Sequence, residues 1–254
     1  MNPNEKMATG AQCSTLAGII AVALTKKFDG QLTFSQAQIS ITDKKQFDVN
    51  LFAGKFANEI FGISIDPWSE EKAKISHFYK TCFKNKKWKN PDWEHVMIPN
   101  EKDNLKHLEF IFLEMTEQEA FNAYADYFEK DKIWKFWDDI TKNINTETIQ
   151  QRPKQNYPML HVGGDEPDLL GKSYDDGISE NIIFMTPLEG IISAFRYSFE
   201  TGKMYDVIGL TRLSALDNCG LAMNMCKARN GKFSIGSSNR VTRISQYGLR
   251  HVIF

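Results

Sequence analysis

The sequence predicts a mainly α-helical protein of two lobes with a small β-hairpin near its N-terminus. Three observations predict it. Apolar residues recur at helical spacing, as at Phe52, Phe56 and Ile60. Helix-start signals stand before such runs: Asp66-Pro67, Thr116-x-x-Glu119 and Thr186-Pro187-Leu188-Glu189. A breaker-rich stretch from Gly163 to Gly177 separates an aromatic-dense first part from a shorter second one.

In chain order, a polar leader precedes a helix over 14–27, with Ser14 as N-cap and Gly30 as stop. Leu32 and Phe34, then Ile39 and Ile41, alternate with polar residues and predict the hairpin. A helix over 49–61 follows. Asp66 and Pro67 open the next one, to about Phe83, with Ile75, Phe78, Tyr79 and Cys82 on one side. Helices over 103–113, from Thr116 to Phe128 and over 130–145 complete a lobe of residues 1–150. Residues 47–137 hold 19 of the 31 aromatics and all five tryptophans, so most of those rings should pack. Residues 151–182 read as an acidic loop linker. The second lobe, 183–254, holds a helix from Thr186 to a stop at Gly202, a longer one over 203–229 and a basic tail.

The composition, 42% hydrophobic and 25% charged over 254 residues, excludes collagen-like, coiled-coil and wholly disordered chains. No apolar run reaches the roughly 18 residues of a membrane span. Leu16 to Leu24 resembles the apolar part of a signal peptide, but Lys26-Lys27 stands where the cleavage site should be, so no targeting segment is assigned. Cys13, Cys82, Cys219 and Cys226 form no CxxC pair, which suits a reduced, intracellular setting: cytoplasm, or a virion for a viral nucleoprotein. Cys82, His95 and His107 match no common zinc spacing, and neither metal nor cofactor is expected.

Charge is balanced globally, at −1, but not locally. Residues 71–90 hold seven lysines against Glu71; residues 101–180 hold 18 acids against nine bases; residues 201–254 hold eight bases against Asp206 and Asp217. Such asymmetry speaks to partners. In the first basic zone Lys84, Lys86, Lys87 and Lys89 surround Trp88, cations for phosphates beside a ring that can stack on a base. In the second, Lys227, Arg229, Lys232, Arg240, Arg243 and Arg250 are interspersed with serines and asparagines suited to phosphate oxygens. Arg196, inside an apolar helix, must reach a carboxylate, a phosphate or the surface, with Glu200 at i+4 as the nearest partner.

No P-loop, dinucleotide fingerprint, G-x-S-x-G or H-E-x-x-H occurs. Gly163-Gly164 and Gly236-Ser237-Ser238 lack the helix a phosphate cradle needs. Asp165, Glu166, Asp168, Asp175 and Asp176 are oxygen ligands on one loop, without the EF-hand alternation. The resulting expectation is a protein that binds the nucleic-acid backbone, RNA foremost, and self-associates through its terminal segments, with no membrane partner and no assigned catalytic residue. Size, helicity and mosaic charge resemble the general plan of RNA-virus nucleoproteins and coat proteins, without a motif to carry the likeness. The alternatives are a metal-dependent hydrolase or nuclease at the acidic loop 163–177, and a protein-interaction module without nucleic acid.

Overall fold

The structure is a computed structural model that describes Asp66 and residues 68–83, 88, 91–99, 107–128, 133–164, 166–228 and 231–254. The chain divides into two compact units, Met1–Pro67 and Trp68–Phe254. All that follows concerns the second. The sequence-predicted helices over 14–27 and 49–61, and the hairpin between them, lie outside the described residues.

The expectation of a mainly α fold is overturned. Among the described residues four α-helices, α1 (Ser69–Cys82), α2 (Glu117–Phe128), α3 (Tyr174–Ser179) and α4 (Pro187–Thr201), accompany two sheets of three and seven strands. The strands are β1 (His107–Ile111), β2 (Ile133–Lys135), β3 (Ile144–Asn145), β4 (Tyr157–His161), β5 (Leu169–Leu170), β6 (Leu210–Asp217), β7 (Ala222–Lys227), β8 (Phe233–Ser238), β9 (Tyr247–Leu249) and β10 (Val252–Ile253). The smaller sheet runs β1-β4-β10, all antiparallel. The larger runs β2-β8-β7-β6-β9-β5, with β3 also paired to β6; its β2–β8 and β6–β9 pairings are parallel. Strands from 107–145 and from 210–253 share both sheets, and residues 151–182 supply β4 and β5.

The helix expectations fail where strands are covered on both faces. Over 203–229 the chain forms the β6–β7 hairpin, and all eight residues of β6 are buried. A strand buried on both sides loses the polar alternation that marks a half-exposed one. Its turn is made by the Asp217 carboxylate, which accepts from the amides of Cys219 and Leu221, both at 2.9 Å, and by Gly220 at φ +80°. The same masking hides β1, expected as a helix over 103–113, where four of five residues are buried. Residues 130–145 carry β2, β3 and a 3₁₀ turn at Thr141–Asn143. The tail forms β8, β9 and β10, burying Leu249 and Val252 in its own unit.

The locally encoded helices hold. α1 buries Ile75, Phe78 and Tyr79, and the Tyr79 hydroxyl donates to the Phe110 carbonyl at 2.5 Å. It starts at Ser69, without a side-chain cap. The Thr116–Glu119 pair closes its capping box at 3.1–3.2 Å. α4 opens on the Thr186–Glu189 box and stops at Gly202, whose φ of +69° is left-handed. Eleven of its fifteen residues are buried, against α2, β1, β6 and β7. Rings fill the space around it: Tyr124 stacks on Phe195 at 4.9 Å, and Phe78 meets Phe195 edge-on at 4.9 Å. Cys219 and Cys226 are free thiols. Among the described residues no helix is long and apolar enough to cross a membrane.

Glu189 does more than cap. Fully buried, its carboxylate also accepts from Arg152 Nε at 2.6 Å, Arg152 Nη2 at 3.1 Å and the Tyr157 hydroxyl at 2.5 Å. Thr186→Ala should cost about 1 kcal/mol, the usual loss of an N-cap. Glu189→Ala should cost about 3–5 kcal/mol, because it leaves the Arg152 guanidinium uncompensated. Denaturant titration of both variants checks the ratio. Deleting residues 247–254 removes β9 and β10, and loss of Leu249 and Val252 alone should cost about 3–6 kcal/mol. Circular dichroism and sedimentation of that truncation should find an unfolded or aggregated chain; a folded monomer would mean that the tail is an assembly arm.

Candidate polar cavity

Apart from Ser198, which bonds to the Tyr124 hydroxyl at 2.7 Å, and Thr201 at its end, the polar residues of helix α4 fall on one stripe. Glu189, Ser193, Arg196 and Glu200 stand at i, i+4, i+7 and i+11, which aligns them along one face. Ser193, Arg196 and Glu200 line a cavity of about 250 Å³. The opposite wall comes from the smaller sheet. Glu109 on β1 and His161 on β4 line it, and His107 pairs with His161 across the ladder. The two imidazoles lie 5.6 Å apart at 33°. Gly163, Gly164, Tyr197, Thr201 and Tyr205 complete the lining. His107, Gly164, Glu200 and Thr201 are exposed and form the mouth; Glu109, His161, Ser193, Arg196 and Tyr205 are buried and form the floor.

Arg196 organises this floor. Its guanidinium meets Glu71 of α1 at 2.6 Å, Glu200 at 2.7 Å and Glu109 at 3.3 Å, and also donates to the Leu108 carbonyl. Burial pushes the Glu109 carboxyl up, but Arg196 and then His161 outweigh burial and hold it below the usual carboxylate range, so it is ionised.

His161 is fixed in one tautomer. The Gly163 amide donates to its Nδ1 at 3.0 Å, so Nδ1 is the bare nitrogen and Nε2 carries the hydrogen. Nε2 stands 3.6 Å from Glu109 Oε1, too long for a hydrogen bond. Burial depresses the His161 pKa, with Glu109 opposing. The Gly163-Gly164 turn that supplies the amide has φ of +77° and +81°. A Cβ on Gly163 would sit 1.9 Å from the His107 ring, so glycine is required there for space as well as conformation. Below the turn, Arg250 Nη1 donates to both glycine carbonyls, at 3.3 and 3.4 Å, and Nη2 pairs with Asp206 at 2.7 Å. The Arg250 guanidinium also lies over the Tyr205 ring at 3.8 Å.

Four floor atoms have no hydrogen-bond partner: Glu109 Oε2, His161 Nε2, Ser193 Oγ and Tyr205 Oη. Their residues are 4, 4, 2 and 1% exposed. The other such atoms among the described residues are Trp88 Nε1, Asp206 Oδ2 and Arg212 Nε, outside the cavity lining.

The residues expected to bind nucleic acid are dispersed. Lys84, Lys86, Lys87, Lys89 and Arg229 lie outside the described residues. Trp88 is buried against Phe112, ring centres 5.9 Å apart, rather than presented for stacking. Arg196 and Arg250 are interior, each committed to carboxylates. Arg240 pairs with Asp175 at 2.6 Å and Arg243 with Asp176 at 2.8 Å, so these cations meet the chain's own acidic loop. Lys227 ends β7, and Lys232 precedes β8. In that loop Asp165 lies outside the described residues; of the others, Glu166 accepts from the amides of Ile208 and Gly209, and Asp168 from that of His251. Among the described residues no three His, Cys, Asp or Glu side chains are placed to hold a metal ion. The cavity was missed because His107, His161 and Tyr205 are far apart in sequence; the stripe on α4 was the one local signal.

Comparison with protein-family models, with curated proteins and with solved structures gave no match to this chain. What it does has to be read from the cavity.

The buried imidazole makes stability fall in acid. Because the folded pKa of His161 is depressed, the unfolded chain takes the proton first, and stability drops as pH falls below about 6.5. Glu109 adds a second loss below the usual carboxylate range, with the same sign. His95, raised by exposed Asp92, has the opposite sign, but a surface pair contributes little. Melting temperature should fall between pH 7 and 5, and His161→Gln should flatten that limb. An equally steep limb in the variant would assign the acid sensitivity to another group.

Proposed function

We propose that this chain is a binding protein that takes a small polar molecule into the cavity between α4 and the smaller sheet. One observation carries the reading: four buried polar atoms that make no hydrogen bond, from β1, β4, α4 and the segment after α4, line a single cavity. Leaving a buried donor or acceptor unmade costs about 1–3 kcal/mol. Native interiors avoid that cost, and we assign the missing partners of four such atoms in one place to groups that a ligand supplies. The volume of about 250 Å³ lies just under the roughly 300–1,000 Å³ of pockets for drug-sized ligands, which suits a smaller molecule.

Ser193→Ala and Tyr205→Phe delete hydroxyls that do nothing for the fold. Each variant should be as stable as the parent or more stable, by up to about 1–3 kcal/mol. Each should also lose the thermal stabilisation that the parent gains from at least one of ethanolamine, ethylene glycol, acetate and phosphate. Destabilisation by both substitutions, or no shift of the parent with any of the four, would sink the reading.

A second reading retains the nucleic-acid interface, favoured by the seven lysines against one glutamate in 71–90. With Arg196 and Arg250 interior and Arg240 and Arg243 paired, it rests on Lys84, Lys86, Lys87 and Lys89, with Lys227, Arg229 and Lys232. Replacing the first four with Gln should then weaken RNA binding and flatten the dependence of log K on log salt by about 0.7–0.9 per lost phosphate contact. An unchanged slope would remove this zone, and with it the second reading.

A further inference from the structure

We propose that the molecule taken into this cavity carries a protonated amine with a hydroxyl or carbonyl oxygen close to it. The inference rests on the binding reading above and adds the ligand's chemistry, from charge and from matching donors to acceptors.

The charge around the cavity is negative. Arg196 faces three carboxylates, Glu71, Glu109 and Glu200. Lys74 answers Glu71 from the solvent side but is itself shared with Glu70. Arg250, the next guanidinium inward, is tied to Asp206. The cavity lining therefore sets Glu109 and Glu200 against Arg196 alone. An anion entering here would meet a guanidinium already committed to three carboxylates and one backbone carbonyl. A cation would meet Glu109 Oε2, which faces Arg196 Nη1 at 3.3 Å but accepts no hydrogen bond.

The unpartnered atoms fit the same chemistry. A carboxylate oxygen only accepts, and the hydroxyls of Ser193 and Tyr205 can both accept; that makes three acceptors for the three hydrogens of an ammonium. The fourth atom, His161 Nε2, is a donor by the tautomer the Gly163 amide imposes, and needs an oxygen. Tyr197 also lines the cavity, its ring 5.3 Å from that of Tyr205, and aromatic rings favour cations.

The test uses the full chain and three probes, titrated by saturation-transfer NMR: ethanolamine, which has both groups; ethylene glycol, which has only hydroxyls; and acetate, an anion. Ethanolamine should bind at least tenfold more tightly than either of the others. Its affinity should fall at least tenfold in Glu109→Gln. Should that variant fail to fold, Tyr205→Phe, which removes only an unpartnered hydroxyl, should weaken ethanolamine several-fold on a folded protein. Equal binding of ethanolamine and ethylene glycol, preference for acetate, or ethanolamine binding indifferent to the folded variant would overturn the amine while leaving a binding cavity. Binding of phosphate alone would overturn the amine only; binding of none of the three, nor of phosphate, would overturn both.

Discussion

Helix α4 carries a line of polar residues through an apolar core, and each charge on that line has to be neutralised inside the protein. At its first turn Glu189 receives the Thr186 amide, the Arg152 guanidinium and the Tyr157 hydroxyl. Two turns on, Arg196 draws Glu71 from α1 and Glu109 from β1. Removing one partner of such a group strands the other, which makes each contact far more costly to break than a surface pair. The helix therefore fixes where the smaller sheet and α1 can sit, and the aromatic rings fill what remains.

The cavity follows from this arrangement. Arg196 needs a carboxylate from the sheet, so Glu109 faces inward, and ladder pairing sets His161 beside it through the β1–β4 register. A second interior pair, Arg250 with Asp206, clamps the Gly163-Gly164 turn and so fixes the His161 ring. Neither device serves the cavity by accident of the surface: both are held by the same buried charges that hold the fold. The hydroxyls of Ser193 and Tyr205 differ, because nothing in the fold uses them.

The uneven charge of the sequence has a different meaning once the chain is folded. Acidic and basic zones that suggest a polyanion partner meet each other: Asp175 with Arg240, and Asp176 with Arg243. The Arg243 guanidinium, first of all, holds the Asp176 carboxyl well below the usual range, while Asp176 also closes the cap of α3 through Ser173. Stretches 65 and 67 residues apart cannot be seen to neutralise one another in a linear reading.

What the sequence determined by itself was local. Thr186, Pro187, Glu189 and Gly202 specify both ends of α4, and Thr116 with Glu119 specifies the start of α2, because a cap is a bond between residues a turn apart. The buried side of α1 was legible for the same reason, its apolar residues falling at helical spacing. The tertiary structure alone decided the sheets. β1, β4 and β6 are covered on both faces, so their residues carry no alternation to read, and only pairing with other strands makes them strands. It alone decided the site as well. His107 and His161 become neighbours through ladder register, and Arg196 becomes a buried hub because Glu71 and Glu109 arrive from elements far away in the chain. A capping motif states its own geometry, whereas a cavity exists only where separate elements close around it.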